Sequence, residues 1–141
     1  MNTHVPERYF KIFRKSFPFS CVGIIIINEK DEFLLVRRSI FPYKGKWCLP
    51  GGIIRYGEQI EKAVHRVAKN ELGIEIQLIK KIGFFEKIFH NRHDISHCFL
   101  ATLNSQSINL DSQASDAKFF SKIPQQTSLF HKKMIKASGI L

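Results

Sequence analysis

The sequence has no apolar run approaching the roughly 18 residues that a membrane helix requires. Its start, Met1-Asn2-Thr3-His4-Val5-Pro6, lacks the basic and apolar pattern of a secretory signal. A cytoplasmic protein with no membrane partner is expected. Cysteine is scarce: Cys21, Cys48 and Cys98 are odd in number and have no paired spacing, which excludes a disulfide framework and favours a reducing compartment. Internal repeats and low-complexity stretches are absent, so solenoid and tail-like architectures are excluded. Acidic residues are few, 12 against 22 Lys and Arg, and the net charge of +10 attracts polyanions such as nucleotides. Tryptophan occurs once, yet 13 Phe and a 44% apolar composition supply a packed core. A chain of 141 residues has material for one such core, so residues 1–141 are read as a single domain.

The chain alternates strand and helix signals. Pro6 to Lys15 reads as a short amphipathic helix stopped before Pro18. Cys21 to Ile27 is a β-branched apolar run, Asn28 to Asp31 a turn, and Glu32 to Arg37 its hairpin partner. A loop with Pro42, Gly45 and Trp47 follows. Glu58 to Leu72 places Ile60, Ala63, Val64, Val67, Ala68 and Leu72 at helical spacing and ends at Gly73, a residue suited to a left-handed cap. Ile74 to Phe89 and Ile95 to Leu103 read as strands joined by the polar loop His90 to Asp94. Ala117 to Phe120 reads as a last strand and Leu129 to Ala137 as a closing helix. This order predicts an α/β fold, a mixed sheet covered by helices on both faces.

One residue breaks the pattern of the central helix. At about 100° per residue, Glu71 falls near the middle of the stripe formed by Ile60, Val64, Val67 and Ala68. A carboxylate there is heavily penalised unless a cation meets it. The partner is either an arginine, Arg66 or Arg38, or a metal ion. Pro50-Gly51-Gly52 precedes the helix with a backbone free of side chains, where a carbonyl can approach an ion and amides can approach phosphate.

Gly52, Glu58, Arg66, Ala68, Glu71, Gly73 and Ile74 resemble the Nudix hydrolase box in register, and Trp47 to Gly52 looks like the strand that leads into it. The resemblance implies a Nudix fold, an α/β/α sandwich with a mixed β-sheet. Val67 and Asn70 stand where the box expects Glu, which argues against a site holding several divalent ions. The GDP-mannose mannosyl hydrolase branch lacks the same two carboxylates, and its likeness extends through Phe17-Pro18-Phe19, Glu32 to Leu35 and Arg38.

That branch implies one magnesium, with manganese as the alternative ion, held by Glu71, the Gly51 carbonyl and Gln113. A single carboxylate suffices when phosphate oxygens and waters complete the shell. Arg38 and Arg66 become candidate catalytic phosphate clamps, with Arg66 alternatively pinning the loop through Glu58. Arg38, Gly51 and Gly52 are the candidate substrate-binding residues. The branch's general-base His is Ala114 here, and two further positions are replaced by Gly23 and Ile53. Proton removal is therefore assigned to Asp116 or to a His between 90 and 97. Expected partners are a small nucleotide substrate, no nucleic acid, and a second copy in a homodimer through the N-terminal segment Tyr9 to Phe13. The alternatives are attack on phosphorus, with Glu86 adding a ligand, and a binding module without metal chemistry. A zinc site from His90, His93 and His97 lacks a fourth ligand and is not expected.

Overall fold

A computed structural model of the chain describes residues 5–89, 91–103 and 107–141. In chain order the elements are α1 (Glu7–Ser16), β1 (Phe19–Ile27), β2 (Phe33–Arg38), β3 (Trp47–Cys48), β4 (Gly51–Ile53), α2 (Ile60–Leu72), β5 (Ile76–Phe89), β6 (Arg92–Leu103), β7 (Ala114–Phe120) and α3 (Leu129–Ser138). The strands form one seven-stranded sheet with the path β3-β2-β1-β6-β5, to which β4 adds along β1 and β7 along β2. β1 and β6 run parallel and the remaining pairs antiparallel, so the sheet is mixed as predicted.

Alternation along the strands builds two cores. Ile24 and Ile26 of β1, Leu34 and Val36 of β2 and Phe99 of β6 pack with Val64, Val67, Ala68 and Leu72 of α2 on one face. Ile25, Phe33, Leu35, Cys98 and Leu100 face the other way and pack with Phe130, Met134 and Ile135 of α3. Side chains of a strand point alternately to its two faces, so an uninterrupted apolar run such as Gly23 to Ile27 is what a strand covered on both sides requires. The result is the α/β/α sandwich. A third cluster, Phe10, Phe19 and Cys21, seats α1 against the beginning of β1.

Most element boundaries differ from the sequence reading by a residue or two, and three of the differences have a visible cause. α2 starts at Ile60 and not at Glu58, because Gly57 takes a left-handed φ of 77° and the Glu58 carboxylate is turned back to the Arg55 amide. β6 starts at Arg92, paired with Phe89, where a polar loop was expected, and His90 lies outside the described residues. β7 starts at Ala114, three residues early, through a register shift opposite Arg37 and Arg38. The Gly73 cap is as expected: φ is 66° and its amide donates to the Ala68 and Lys69 carbonyls.

Candidate active site at the end of the central helix

The approach to α2 is a backbone close-packing problem solved by glycine. Gly51 pairs with Gly23 across β4 and β1, and a Cβ on Gly51 would sit 2.5 Å from the Val22 carbonyl oxygen. A Cβ on Gly52 would sit 3.1 Å from Val67 Cγ2, on the helix itself. Only an unsubstituted backbone lets this strand pass between β1 and α2. The Gly51 amide consequently reaches the Glu71 carboxylate and donates to it.

The loop between β4 and α2 is held by one ion pair. Arg66 Nε donates to Glu58 Oε2 at 2.6 Å and Nη2 to Oε1 at 2.9 Å, a bidentate fork, while Nη2 also reaches the Ile53 carbonyl at 2.8 Å. Glu58 Oε1 accepts from the Arg55 amide at 3.0 Å. The Arg66 hydrogen bond is the main reason the Glu58 carboxyl lies below its usual range. Of the two roles read for Arg66, the structure shows the pinning one.

Glu71, one turn later, has no such partner. Neither it nor Asp111 takes part in an ion pair among the described residues. Part of Glu71 remains accessible at the surface. The atoms around its carboxylate nevertheless remove enough water to push its pKa up to about 8, and the neighbouring Asp111 pushes the same way. The positive charges of Arg38 and Arg66 oppose this without forming a contact. Neither arginine that the sequence offered as a partner for Glu71 makes an ion pair with it: Arg66 binds Glu58, and Arg38 Nε donates to the Pro42 carbonyl at 2.7 Å.

Asp111 is the residue the sequence reading missed. It arrives because the end of a helix leaves carbonyls without intrahelical donors. The Leu72 carbonyl accepts from the Asn109 amide at 2.8 Å and the Glu71 carbonyl from the Asp111 amide at 3.1 Å. The same segment is then tied to the end of β2, where the Ser39 amide donates to the Gln113 carbonyl at 2.9 Å and Ser39 Oγ to the Ser112 carbonyl at 2.8 Å. Asp111 Oδ1 accepts from the Gln113 amide at 2.9 Å. Glu71, Asp111, Gln113, Gly51 and Arg38 are thus brought to one corner of the sheet. An Asp two residues before the candidate ligand Gln113 was the available signal.

The other candidates lie elsewhere. Asp116 pairs with Arg37 on β7, accepts from the Ala117 amide and stands 3.9 Å from Lys118 Nζ, with its side chain about half exposed. Its neighbour Ala117 packs into the α2-side core, so Asp116 points to the opposite face of the sheet from that core. Glu86 pairs with His93 Nε2 at 2.8 Å on the β5–β6 hairpin, and His97 with Ser20 Oγ at 3.3 Å. None of these acids and histidines is among the groups that perturb Glu71. No cluster of three or more metal-ligating His, Cys, Asp or Glu side chains occurs among the described residues.

Loss of water and the nearby Asp111 disfavour ionisation of Glu71, and a hard divalent cation in that corner is the partner that would favour it. Glu71, the Gly51 carbonyl and Gln113 are the groups that would hold it, with Asp111 near Glu71.

A NUDIX domain model matches residues 18–135. The chain is 27% identical over 126 residues to low-salt glycan biosynthesis protein Agl8 of Haloferax volcanii, covering 84% of this chain and 80% of that protein. It is 30% identical over 115 residues to an ADP-ribose pyrophosphatase of Methanocaldococcus jannaschii, covering 79% and 68%. Among solved structures, a MutT NUDIX hydrolase of Burkholderia pseudomallei superposes with a TM-score of 0.78 at 24% identity, covering 85% of this chain and 97% of that one. With the family model spanning most of the chain and the box residues arranged as described around α2, the chain belongs to the Nudix family and is a hydrolase.

Proposed function

We propose that the enzyme hydrolyses a nucleoside diphosphate derivative, and that its substrate is a nucleotide sugar of the GDP-mannose type, from which the sugar is released. The observation that supports metal-dependent hydrolysis of a diphosphate is Glu71, without an ion pair among the described residues, near Asp111, Gly51 and Arg38. A site with two adjoining carboxylates suits one magnesium ion, with manganese as the alternative, completed by diphosphate oxygens. Bound there, the ion would neutralise charge on a nucleoside diphosphate leaving group. The chain's own groups do the rest. Arg38, anchored through Nε to the Pro42 carbonyl, keeps its terminal nitrogens for a phosphate oxygen. The Gly51 amide fixes the Glu71 carboxylate, and the Arg66–Glu58 pair holds the loop that carries the glycine strand to the site.

Asp111 takes over the part read for Asp116 as acceptor of the water proton. One of its oxygens is occupied by the Gln113 amide, and it stands in the same corner as Glu71. A relative named for glycan biosynthesis supports a sugar-bearing substrate. A second reading is attack on phosphorus, favoured by the relative named as an ADP-ribose pyrophosphatase and by the second carboxylate at the site. Three buried free cysteines suit a reducing compartment, and the cytoplasm is where we place the enzyme. The resemblance also implies a homodimer, which the solution mass at micromolar concentration tests.

Hydrolysis of a panel of nucleotide sugars and ADP-ribose in ¹⁸O-labelled water, with magnesium or with chelator, tests the reading. Label in the free sugar and unlabelled nucleoside diphosphate is the expected result. Label in phosphate establishes the second reading, and turnover unaffected by the chelator overturns both.

A further inference from the structure

The hairpin of β2 and β3 presents two cations together, Arg38 and Lys46. Val36 lies opposite Cys48 on it, and Arg37 opposite Trp47. The ladder then ends in a bulge. The Arg38 amide donates to the Lys46 carbonyl at 3.1 Å, and the amide of Gly45, whose φ is a left-handed 82°, donates to the Arg38 carbonyl at 2.8 Å. Lys46 therefore stands opposite Arg38. Residues opposed in this way project on one side of the hairpin, with Cβ atoms about 5 Å apart.

Alternation along the strands decides which side that is. Trp47 and Leu49 enter the α3-side core, and the Arg37 guanidinium carbon lies 4.7 Å from the centre of the Trp47 ring on that face. Val36 enters the α2-side core, so Val36, Arg38, Lys46 and Cys48 share the face from which Glu71 comes. The Cys48 thiol is surrounded accordingly. Burial pushes it up to about 12, the charges of Arg38 and then Lys46 oppose the rise, and Glu71 adds to it. Arg38 acts on Glu71 as well and Lys46 does not, so Lys46 stands beyond Arg38 as seen from the carboxylate.

Like charges directly opposite one another destabilise a hairpin unless an anion comes between them. Neither cation has one in the chain itself: Arg38 Nε meets the Pro42 carbonyl, and Lys46 is exposed, with no ion pair for either among the described residues. We propose that Lys46 is a second phosphate-binding residue, which grips the diphosphate of the substrate together with Arg38. The order Glu71, Arg38, Lys46 gives Arg38 the phosphate nearer the metal corner and Lys46 the phosphate farther from it. Their shapes suit this division, since a guanidinium offers a fork of parallel donors and an ammonium a compact charge that follows a mobile group. Lys44, on the same loop, shows what a merely solvated lysine looks like. It is exposed too, but its charge is not among those acting on Cys48. The inference rests on the diphosphate substrate proposed for the Glu71 corner and names a group that holds it.

The test is calorimetric titration of the full chain with GDP, UDP and ADP in magnesium, for the wild type, Lys46→Gln, Lys46→Arg and Lys44→Gln. Lys46→Gln should weaken binding of the preferred nucleoside diphosphate on the order of tenfold. Lys46→Arg keeps the charge and should stay closer to the wild type, and Lys44→Gln should match it. Without ligand and at low salt, Lys46→Gln should melt no lower than the wild type, because a like-charge neighbour has been removed. Undiminished diphosphate binding by Lys46→Gln would overturn the inference and leave the diphosphate substrate standing. Equal losses in Lys46→Gln and Lys44→Gln would assign the effect to net charge and overturn it as well. A ligand-free Lys46→Gln that melts well below the wild type would make the lysine structural, with the same consequence. A wild type that binds none of the three nucleoside diphosphates would remove the substrate class itself, and the role of Lys46 with it.

Discussion

Replacing Glu71 by Gln separates a metal ligand from half of a structural ion pair. The carboxyl group has its pKa raised from 4.5 to about 8, with loss of water as the leading cause and Asp111 as the second. A raised carboxyl pKa means that the folded chain holds a proton which the unfolded chain has released. Stability of the metal-free protein must therefore fall as pH rises from about 4.5 towards 8. At roughly 1.4 kcal/mol per unit, the interval from 4.5 to neutral pH costs the ion-free enzyme about 3 kcal/mol. Glutamine has nearly the same shape and no charge to lose. In chelator, Glu71→Gln should match the wild type near pH 5 and exceed it near pH 7.5, by up to about 4 kcal/mol. With magnesium the order reverses, because an ion that binds only the folded wild type stabilises it by mass action. Thermal melts of both proteins at the two pH values, with chelator and with magnesium, read all four quantities. A mutant that melts far below the wild type in chelator yet retains its magnesium response would refute the reasoning.

The remaining predictions concern the groups around that carboxylate. Asp111→Asn should weaken magnesium-induced stabilisation by on the order of tenfold in apparent affinity, whereas Asp116→Asn should leave both that response and kcat near wild type. The two titrations side by side check the placement of the acids. Gly51→Ala drives a methyl group to 2.5 Å from the Val22 carbonyl oxygen and should cost about 1–3 kcal/mol or more, seen as a lower denaturation midpoint. Gly52→Ala, with 3.1 Å to a single side-chain methyl, should cost less. Arg66→Lys keeps the charge but loses the fork on Glu58 and the bond to the Ile53 carbonyl, for about 1–2 kcal/mol and a reduced kcat.

The fold was legible where local chemistry and burial agree. The stripe Ala63, Val64, Val67, Ala68 and Leu72 is buried as its spacing requires, and Gly73 takes the left-handed turn that ends the helix. The apolar run of β1 is covered on both faces, as its lack of alternation implies. Boundaries were less legible, because they rest on contacts distant in sequence. Glu58 has a respectable helix propensity, but its carboxylate is drawn out of the helix by Arg66, eight residues on. β6 begins at Arg92, within residues whose polarity reads as loop, and Arg92 there pairs with Asp94 at 2.7 Å and lies over the Phe19 ring.

The candidate site divides in the same way, and the two aspartates show why. Glu71 was found because a carboxylate on an apolar helical stripe is an anomaly visible in one element alone. Asp116 was chosen for its distance along the chain from Gln113, but distance along a strand does not fix a face. Side chains alternate, and β7 joins β2 through a register shift at Arg37 and Arg38, so the face taken by each residue depends on where that shift falls. With Asp116 opposite Arg37, its carboxylate is turned from the core that Ala117 enters. Asp111 lies in no strand or helix, and it reaches Glu71 because the last carbonyls of α2 need donors and the segment before β7 supplies them. That requirement exists for any helix, but which distant segment meets it depends on tertiary packing. The acid near Glu71 therefore left a trace in the sequence, two residues before Gln113, that becomes legible only when that segment is packed on the end of α2.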